Sequence, residues 1–261
     1  MSLQGRTALI TGSTGDGMGR STALKLAASG VNVVLNYGTV TRGADANARA
    51  EKVLEKIRSL GGDGIVVEAN PGDSDQMADM IAKGEQRFGG IDILVNNAGG
   101  PWNVQPVAEI TPEHWKDTLK VEIDAMFWAV RGVLPGMKER RWGRIVSIGM
   151  ADALHCGGVE QYAADYTLGK AARTWMTEQL GVNLHHEGVT MNIIEPGLNK
   201  HMDLSDAVAA VNSEWDGWPD RKMPCSHDAA EIIGFLCSEA GRFVHRSVIR
   251  LPNHFPEHWD G

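Results

Sequence analysis

Cysteine is scarce in this chain: three in 261 residues, Cys156, Cys225 and Cys237, odd in number and without any C-x-x-C spacing. That usage excludes a disulfide framework or a zinc knuckle as the source of stability and suits a reducing, cytoplasmic setting. Long hydrophobic runs are missing too. No stretch approaches the ~20 apolar residues of a membrane span, and Met1-Ser2-Leu3-Gln4-Gly5-Arg6 lacks the basic segment and apolar run of a secretory leader. Membrane insertion and secretion are therefore not expected. Positive charge is in deficit, with 25 Lys and Arg against 33 Asp and Glu, a net charge of −8 and no basic block. Nucleic acid is disfavoured as a partner, and a small molecule is favoured. What is present is ordinary for a globular protein, 43% hydrophobic and 22% charged residues, so one domain over 1–261 is expected. A chain of this length can bury roughly 70–75% of its unfolded surface and needs no metal or disulfide to hold a core.

Apolar runs of four to six residues alternate with longer helical patterns, the sign of a parallel sheet covered by helices on both faces. Strands are expected at Thr7–Thr11, Val31–Asn36, Gly64–Glu68, Ile91–Asn96, Arg144–Ile148, Val189–Ile194 and Ser247–Leu251. Helices are expected over about Met18–Ala28 and Asp45–Leu60, and over 73–88, 112–138, 160–186 and 227–237. Thr111 can cap the fourth of these and Pro112 suits its first position, while Pro135-Gly136 predicts a kink or an end. Residues 198–226, with Trp215, Trp218, Pro219 and Pro224, break the periodicity and read as an irregular excursion over the sheet.

The first strand runs into Thr11-Gly-Ser-Thr-Gly-Asp-Gly-Met-Gly19, which opens a helix. Glycines there let backbone amides approach a pyrophosphate, and the helix N-terminus supplies unpaired N–H donors and partial positive charge. Gly12, Ser13, Gly17, Met18 and Gly19 are the candidate phosphate-side residues, the arrangement of a doubly wound Rossmann-type α/β domain.

Three further segments, read with this loop, give the chain a recognisable pattern. Asn96-Asn97-Ala98-Gly99 follows the fourth strand, Tyr166-x-x-x-Lys170 lies on a helix, and Asn192-x-x-x-Pro196-Gly197 ends the sixth strand. In this order and spacing the chain resembles the short-chain dehydrogenase/reductase family, with one extra residue in the glycine loop. The resemblance implies that Asn97, Ala98, Gly99, Pro196 and Gly197 line a nicotinamide dinucleotide, that Tyr166 and Lys170 both touch it and carry the acid–base chemistry, and that the protein is a homo-oligomer, a tetramer. The apolar surface of the two long helices at 112–138 and 160–186 points the same way.

Choice of cofactor turns on the end of the second strand, where a carboxylate would repel a 2′-phosphate. Asn36 stands there, and Arg42 follows closely. NADP(H) is favoured over NAD(H), although Asp16 in the glycine loop argues the other way. Asn70, after the third strand, takes the place from which the family's acid meets the adenine.

Tyr166 and Lys170 are four apart and share a helix face. The lysine charge is expected to lower the phenol pKa, so that the tyrosine gives a proton to a carbonyl oxygen as hydride arrives, or takes one back. Two members of the family's usual site are replaced. Gly149 and Met150 stand where its serine belongs, and Glu122 stands for its asparagine. Glu122 could keep the asparagine's backbone role or pair its carboxylate with Lys170. Asp152 is the candidate substitute donor, as a neutral acid in an apolar loop, and His155 and Cys156 are nearby polar alternatives. A threonine of the family beyond Pro196-Gly197 is also absent, with Asn199, Lys200 and His201 in its neighbourhood.

Trp102, Trp215 and Trp218 either wall a ring-containing, apolar substrate or simply pack. His185-His186 has no carboxylate at ligand spacing, so no metal is expected. Three functions stay open: an NADP(H)-dependent oxidoreductase interconverting a carbonyl and an alcohol, a redox-neutral isomerase, lyase or dehydratase using Tyr166 with Glu122 or Asp152, and a dinucleotide sensor without turnover.

Overall fold

A computed structural model describes residues 3–38, 45–151, 153, 163–218 and 223–251. The expected alternation is present: β1 (Thr7–Ile10), α1 (Met18–Ala28), β2 (Asn32–Tyr37), α2 (Ala46–Ser59), β3 (Gly64–Glu68), α3 (Ser74–Phe88) and β4 (Ile93–Asn96) follow in turn. They are succeeded by α4 (Pro112–Leu119), α5 (Ala125–Glu139), β5 (Gly143–Ile148), α6 (Ala164–Leu180), β6 (Val189–Glu195), α7 (Leu204–Val211), α8 (Ser226–Cys237) and β7 (Val248–Arg250). The seven strands are ordered β3-β2-β1-β4-β5-β6-β7, and every pairing is parallel.

Period-two alternation divides the core between two faces. Ala8 and Ile10 of β1 point into a cluster with Leu24 of α1, Leu54 and Ile57 of α2, and Ile233 of α8. Leu9, between them in sequence, joins Met77 and Met80 of α3, Met126 and Val133 of α5, and Met176 of α6 on the opposite face. Strands buried on both sides explain why these segments read as continuous apolar runs. The chain winds outward from β1 to β3 and then returns to place β4 on the other side of β1. That reversal opens a crevice beyond the carboxyl ends of β1 and β4, the position where doubly wound sheets bind ligands.

Three boundaries depart from the sequence reading. The segment expected as one helix over 112–138 begins as anticipated, with Thr111 Oγ1 accepting from the His114 N–H at 3.1 Å, but is broken by a π-helical turn at Lys120–Asp124. Pro135 does not end the second part, which runs on to Glu139. The helix expected over 160–186 is described from Ala164 and stops at Leu180, with a separate 3-10 turn at Leu184–Glu187. The excursion at 198–226 contains α7, whose Ala207 and Ala210 pack into the core, so it is less irregular than the tryptophans and prolines implied.

Candidate functional site

The glycine loop, the Asn97 turn and the end of β2 form one hydrogen-bonded unit at the mouth of the crevice. Gly12 has φ +62°, and a Cβ on it would lie 3.1 Å from Ala98 Cα. Thr11 Oγ1 accepts from the N–H groups of Asn97 and Ala98, both at 3.0 Å, and Asn97 Nδ2 donates back to the carbonyls of Thr11 and Gly12 at 2.9 and 3.0 Å. Gly19 closes the unit: a Cβ there would stand 2.4 Å from Asn97 Nδ2. Helix α1 begins after Gly17 with no side-chain cap. Its first-turn N–H groups, including those of Met18 and Gly19, remain available to an anion, which fits the backbone cradle a pyrophosphate requires.

Asn36 has a different task from the one expected. It is buried, its Oδ1 accepts from the Gly12 N–H at 3.0 Å, and its Nδ2 donates to the Ala69 carbonyl at 3.0 Å. Its backbone also exchanges bonds with Ser13, the N–H donating to Ser13 Oγ at 3.0 Å while the Ser13 N–H donates to the Asn36 carbonyl at 2.9 Å. The side chain shapes the loop and is not presented to a ligand. Arg42, expected to read a 2′-phosphate, lies outside the described residues, as do Asp152, His155 and Cys156. Asn70 is exposed beyond β3, its Oδ1 held by the Gly72 N–H at 3.1 Å. Asp16 is paired: its Oδ1 is 3.3 Å from His201 Nδ1, and the imidazole reaches over the loop to 3.6 Å from where a Gly17 Cβ would be. Arg20, unremarked in the sequence, is buried beneath this pair and donates to the Met202 carbonyl, tying α1 to the chain beyond Pro196-Gly197.

Helix α6 carries Tyr166 and Lys170. Lys170 Nζ sits 5.1 Å from the Tyr166 ring centroid and donates to the Ile148 carbonyl at 3.3 Å. Trp102 meets the Tyr166 ring edge-on, 5.3 Å between centroids, and is 55% exposed. Trp215 and Trp218 instead pack edge to face with each other within or against the α1–α8 core, so of the three tryptophans only Trp102 stands at the tyrosine. Just beyond β5, the Gly149 N–H donates to the Ile194 carbonyl, and a Cβ on Gly149 would come within 3.0 Å of Ile193 Cδ1 and 3.1 Å of Glu195 Cγ. That crowding leaves little room for a hydroxymethyl group.

Glu122 occupies the π-helical turn and is fully buried. Its carboxylate lies 3.3 Å from Lys170 Nζ and 3.0 Å from Arg173 Nε, and its Oε1 accepts from the Gly100 N–H at 2.8 Å. Of the two roles open to Glu122 in sequence, the structure shows the carboxylate pairing. Its backbone carbonyl also accepts from Arg173 Nε at 2.8 Å. Arg173 was not singled out in the sequence; a cation one turn beyond Lys170 on an amphipathic helix ordinarily faces solvent.

Charge in this pocket works against the expected tyrosine tuning. Burial first, and the Glu122 charge second, raise the Tyr166 phenol above its ordinary range, with Arg173 opposing. Burial and then Arg173 push the Lys170 ammonium down to about 8, against the pull of Glu122. The phenol is thus held as a neutral acid, and lysine is the group that changes charge near neutrality.

Among the described residues no helix is long and apolar enough to cross a membrane, and no three His, Cys, Asp or Glu side chains form a possible metal site.

Comparison with known proteins gives consistent matches. The family model described as short chain dehydrogenase matches residues 6–211. A 3-oxoacyl-[acyl-carrier-protein] reductase of Staphylococcus aureus is 29% identical over 252 residues, covering 94% of this chain and 96% of the relative. A D-beta-hydroxybutyrate dehydrogenase of Rhizobium meliloti is 35% identical over 195 residues, covering 74% of this chain and 70% of that one. A short chain dehydrogenase from Burkholderia cenocepacia, solved in complex with NADP, superposes with a TM-score of 0.78 at 28% identity and covers 96% of this chain and 98% of its own.

Proposed function

Because the chain belongs to the short-chain dehydrogenase/reductase family, whose model covers residues 6–211, we propose that it is an NADP(H)-dependent oxidoreductase interconverting a carbonyl and an alcohol. The observation that carries this reading is that Lys170, 5.1 Å from the Tyr166 ring, lies 3.1 Å from where a Cβ on Gly99 would be, at the end of the Asn97 turn that is bonded to the glycine loop. Preference for the phosphorylated cofactor is supported by the absence of an acid at Asn36-Tyr37-Gly38, by Arg42 close behind, by the pairing of Asp16 with His201, and by the NADP bound to the Burkholderia relative.

The residues fit such a cofactor. Gly17, Met18 and Gly19 would hold the pyrophosphate, Ser13 would support the loop, Asn70 would meet the adenine, and Asn97, Ala98, Gly99, Pro196 and Gly197 would line the nicotinamide end. When bound, the dihydronicotinamide supplies a hydride. Tyr166 gives its proton to the substrate oxygen, which becomes the alcohol's hydroxyl. The resulting phenolate is a stronger base than the Lys170 amine, so Lys170 passes it a proton and is itself recharged from solvent. Trp102 covers Tyr166 and offers one apolar wall to the substrate. We read the site as lacking the family's serine and asparagine. If Asp152 does not replace the serine, the cost is about 10²–10³ in turnover.

One observation favours a second reading. The Glu122 carboxylate beside Lys170 gives the pocket a second acid–base group, as a redox-neutral isomerase, lyase or dehydratase would need. A panel of ketones, aldehydes and alcohols followed at the nicotinamide absorbance decides. Oxidation of NADPH that depends on a carbonyl substrate supports the first reading, and substrate consumption at constant nicotinamide absorbance overturns it in favour of the second.

A further inference from the structure

Arg173 is among the largest fully buried side chains of the described molecule, and it lies deeper than the proton-transfer residues on its own helix. Its Nη1 donates to the carbonyls of Asn96 and Ile148 at 3.3 and 3.1 Å. Its Nη2 donates to those of Ala98 and, at 3.1 Å, Val121. Its Nε meets Glu122 twice, at the carbonyl and at the carboxylate. Every nitrogen of the guanidinium is therefore spent on the ends of β4 and β5 and on the π-helical turn. Glu122 has no freedom to turn away. A Cβ on Gly169 would lie 2.4 Å from Glu122 Cβ, and one on Gly99 would lie 2.7 Å from its Oε1, so backbone from two sides presses on it. Glu122 meets Lys170 through its carboxylate, Oε2 lying 3.3 Å from Nζ.

We propose that Arg173 is a positioning residue for proton transfer: with Glu122 it forms a mutually dependent buried pair that sets the charge of Lys170. Each member without the other unbalances the lysine. A buried carboxylate beside it without Arg173 would hold the ammonium more firmly, and a buried guanidinium without Glu122 would favour the neutral amine. Among the described residues the charged or titratable groups around Lys170 are Glu122 from the π-helical turn and Tyr166 and Arg173 from its own helix; β5 contributes the Ile148 carbonyl, and the loop after β4 contributes Gly99. This inference rests on reading Tyr166 and Lys170 as the acid–base pair, but its test does not need turnover.

The test is an NMR titration of Lys170 in protein carrying 13C-labelled lysine, assigned with Lys170→Arg, in the cofactor-free state. Glu122→Gln is expected to move the Lys170 midpoint down by about one unit or more, and Arg173→Leu to move it up by about the same amount. Combining Glu122→Gln with Arg173→Leu removes both opposing charges beside Lys170 and is expected to return its midpoint to within about half a unit of wild type. Should Arg173→Leu fail to fold, Glu122→Gln decides by itself: a Lys170 midpoint that stays where it is or rises overturns the proposal. A combined midpoint as low as that of Glu122→Gln, or single-variant shifts in the same direction, overturns the proposal. A protein that showed these shifts yet reduced no carbonyl would refute the reductase reading and leave the pair standing.

Discussion

Asp16 and His201 face each other across the glycine loop, 3.3 Å apart, one from the loop itself and one from the chain beyond Pro196-Gly197. The contact directs the Asp16 carboxylate to His201, so a protonated imidazole there would offset part of the acid's repulsion of an anion in the loop. Both side chains are more than half exposed, so the effect is modest. His201→Ala is expected to weaken NADPH binding about two- to fivefold, and Asp16→Asn to strengthen it by a similar factor, by calorimetric titration at low salt. Unchanged affinity in both variants would mean that the ligand does not sense this charge.

Arg42→Ala is expected to weaken NADPH binding by tenfold or so while leaving NADH nearly unaffected, since a charge-assisted bond to a phosphate is worth roughly 1.5–3 kcal/mol. An equal loss for both cofactors would remove Arg42 from the reading of the 2′-phosphate and leave the shape of the Asn36-held loop as its remaining support.

Tyr166→Phe is expected to abolish carbonyl reduction and to leave dinucleotide affinity within about twofold, because it deletes one hydroxyl and almost no volume. The pH profile follows from Lys170. Its ammonium is charged below a pKa of about 8 and neutral above it, so reduction, which draws a proton through it, should fall as pH rises through that value. The tyrosine, raised above its ordinary range, stays protonated through this range and does not set the alkaline limb. A reduction rate that rises steadily to pH 10 would contradict this assignment.

Gly19→Ala is expected to lower the melting temperature by several degrees and to weaken the dinucleotide at least tenfold. A Cβ at that position meets Asn97 Nδ2 at 2.4 Å and the Gly12 carbonyl at 2.8 Å, and such overpacking costs about 1–3 kcal/mol. Retained stability with retained binding would show that Asn97 can withdraw without loosening the loop.

Helices α4 to α6 leave Trp115, Phe127, Leu168 and Trp175 exposed, Trp175 at 64%. The homotetramer proposed from the sequence would cover such residues. Light scattering at micromolar concentration should give a multiple of the 28.2 kDa chain mass, and Trp175→Glu should reduce it. A wild-type protein that scatters as the single chain overturns the proposal.

The parallel sheet, the glycine loop, the Asn97 turn and the Tyr166–Lys170 spacing were legible in the sequence because each depends on local pattern. A strand buried on both faces must be apolar throughout, a backbone cradle needs glycine, and two residues four apart on a helix share a face whatever surrounds them. Whether Glu122 acted through its carbonyl or its carboxylate was not legible, nor was the withdrawal of Asn36 from the ligand. Both depend on partners distant in the chain: Arg173 lies 51 residues from Glu122, and the N–H that claims the Asn36 side chain lies 24 residues away in the glycine loop. The direction of the Tyr166 shift escaped for the same reason. Lysine proximity alone predicted a lowered phenol pKa, but burial outweighs a neighbouring charge when that charge is already matched by a carboxylate, and burial exists only once β4, β5, the π-helical turn and α6 have closed around the pocket.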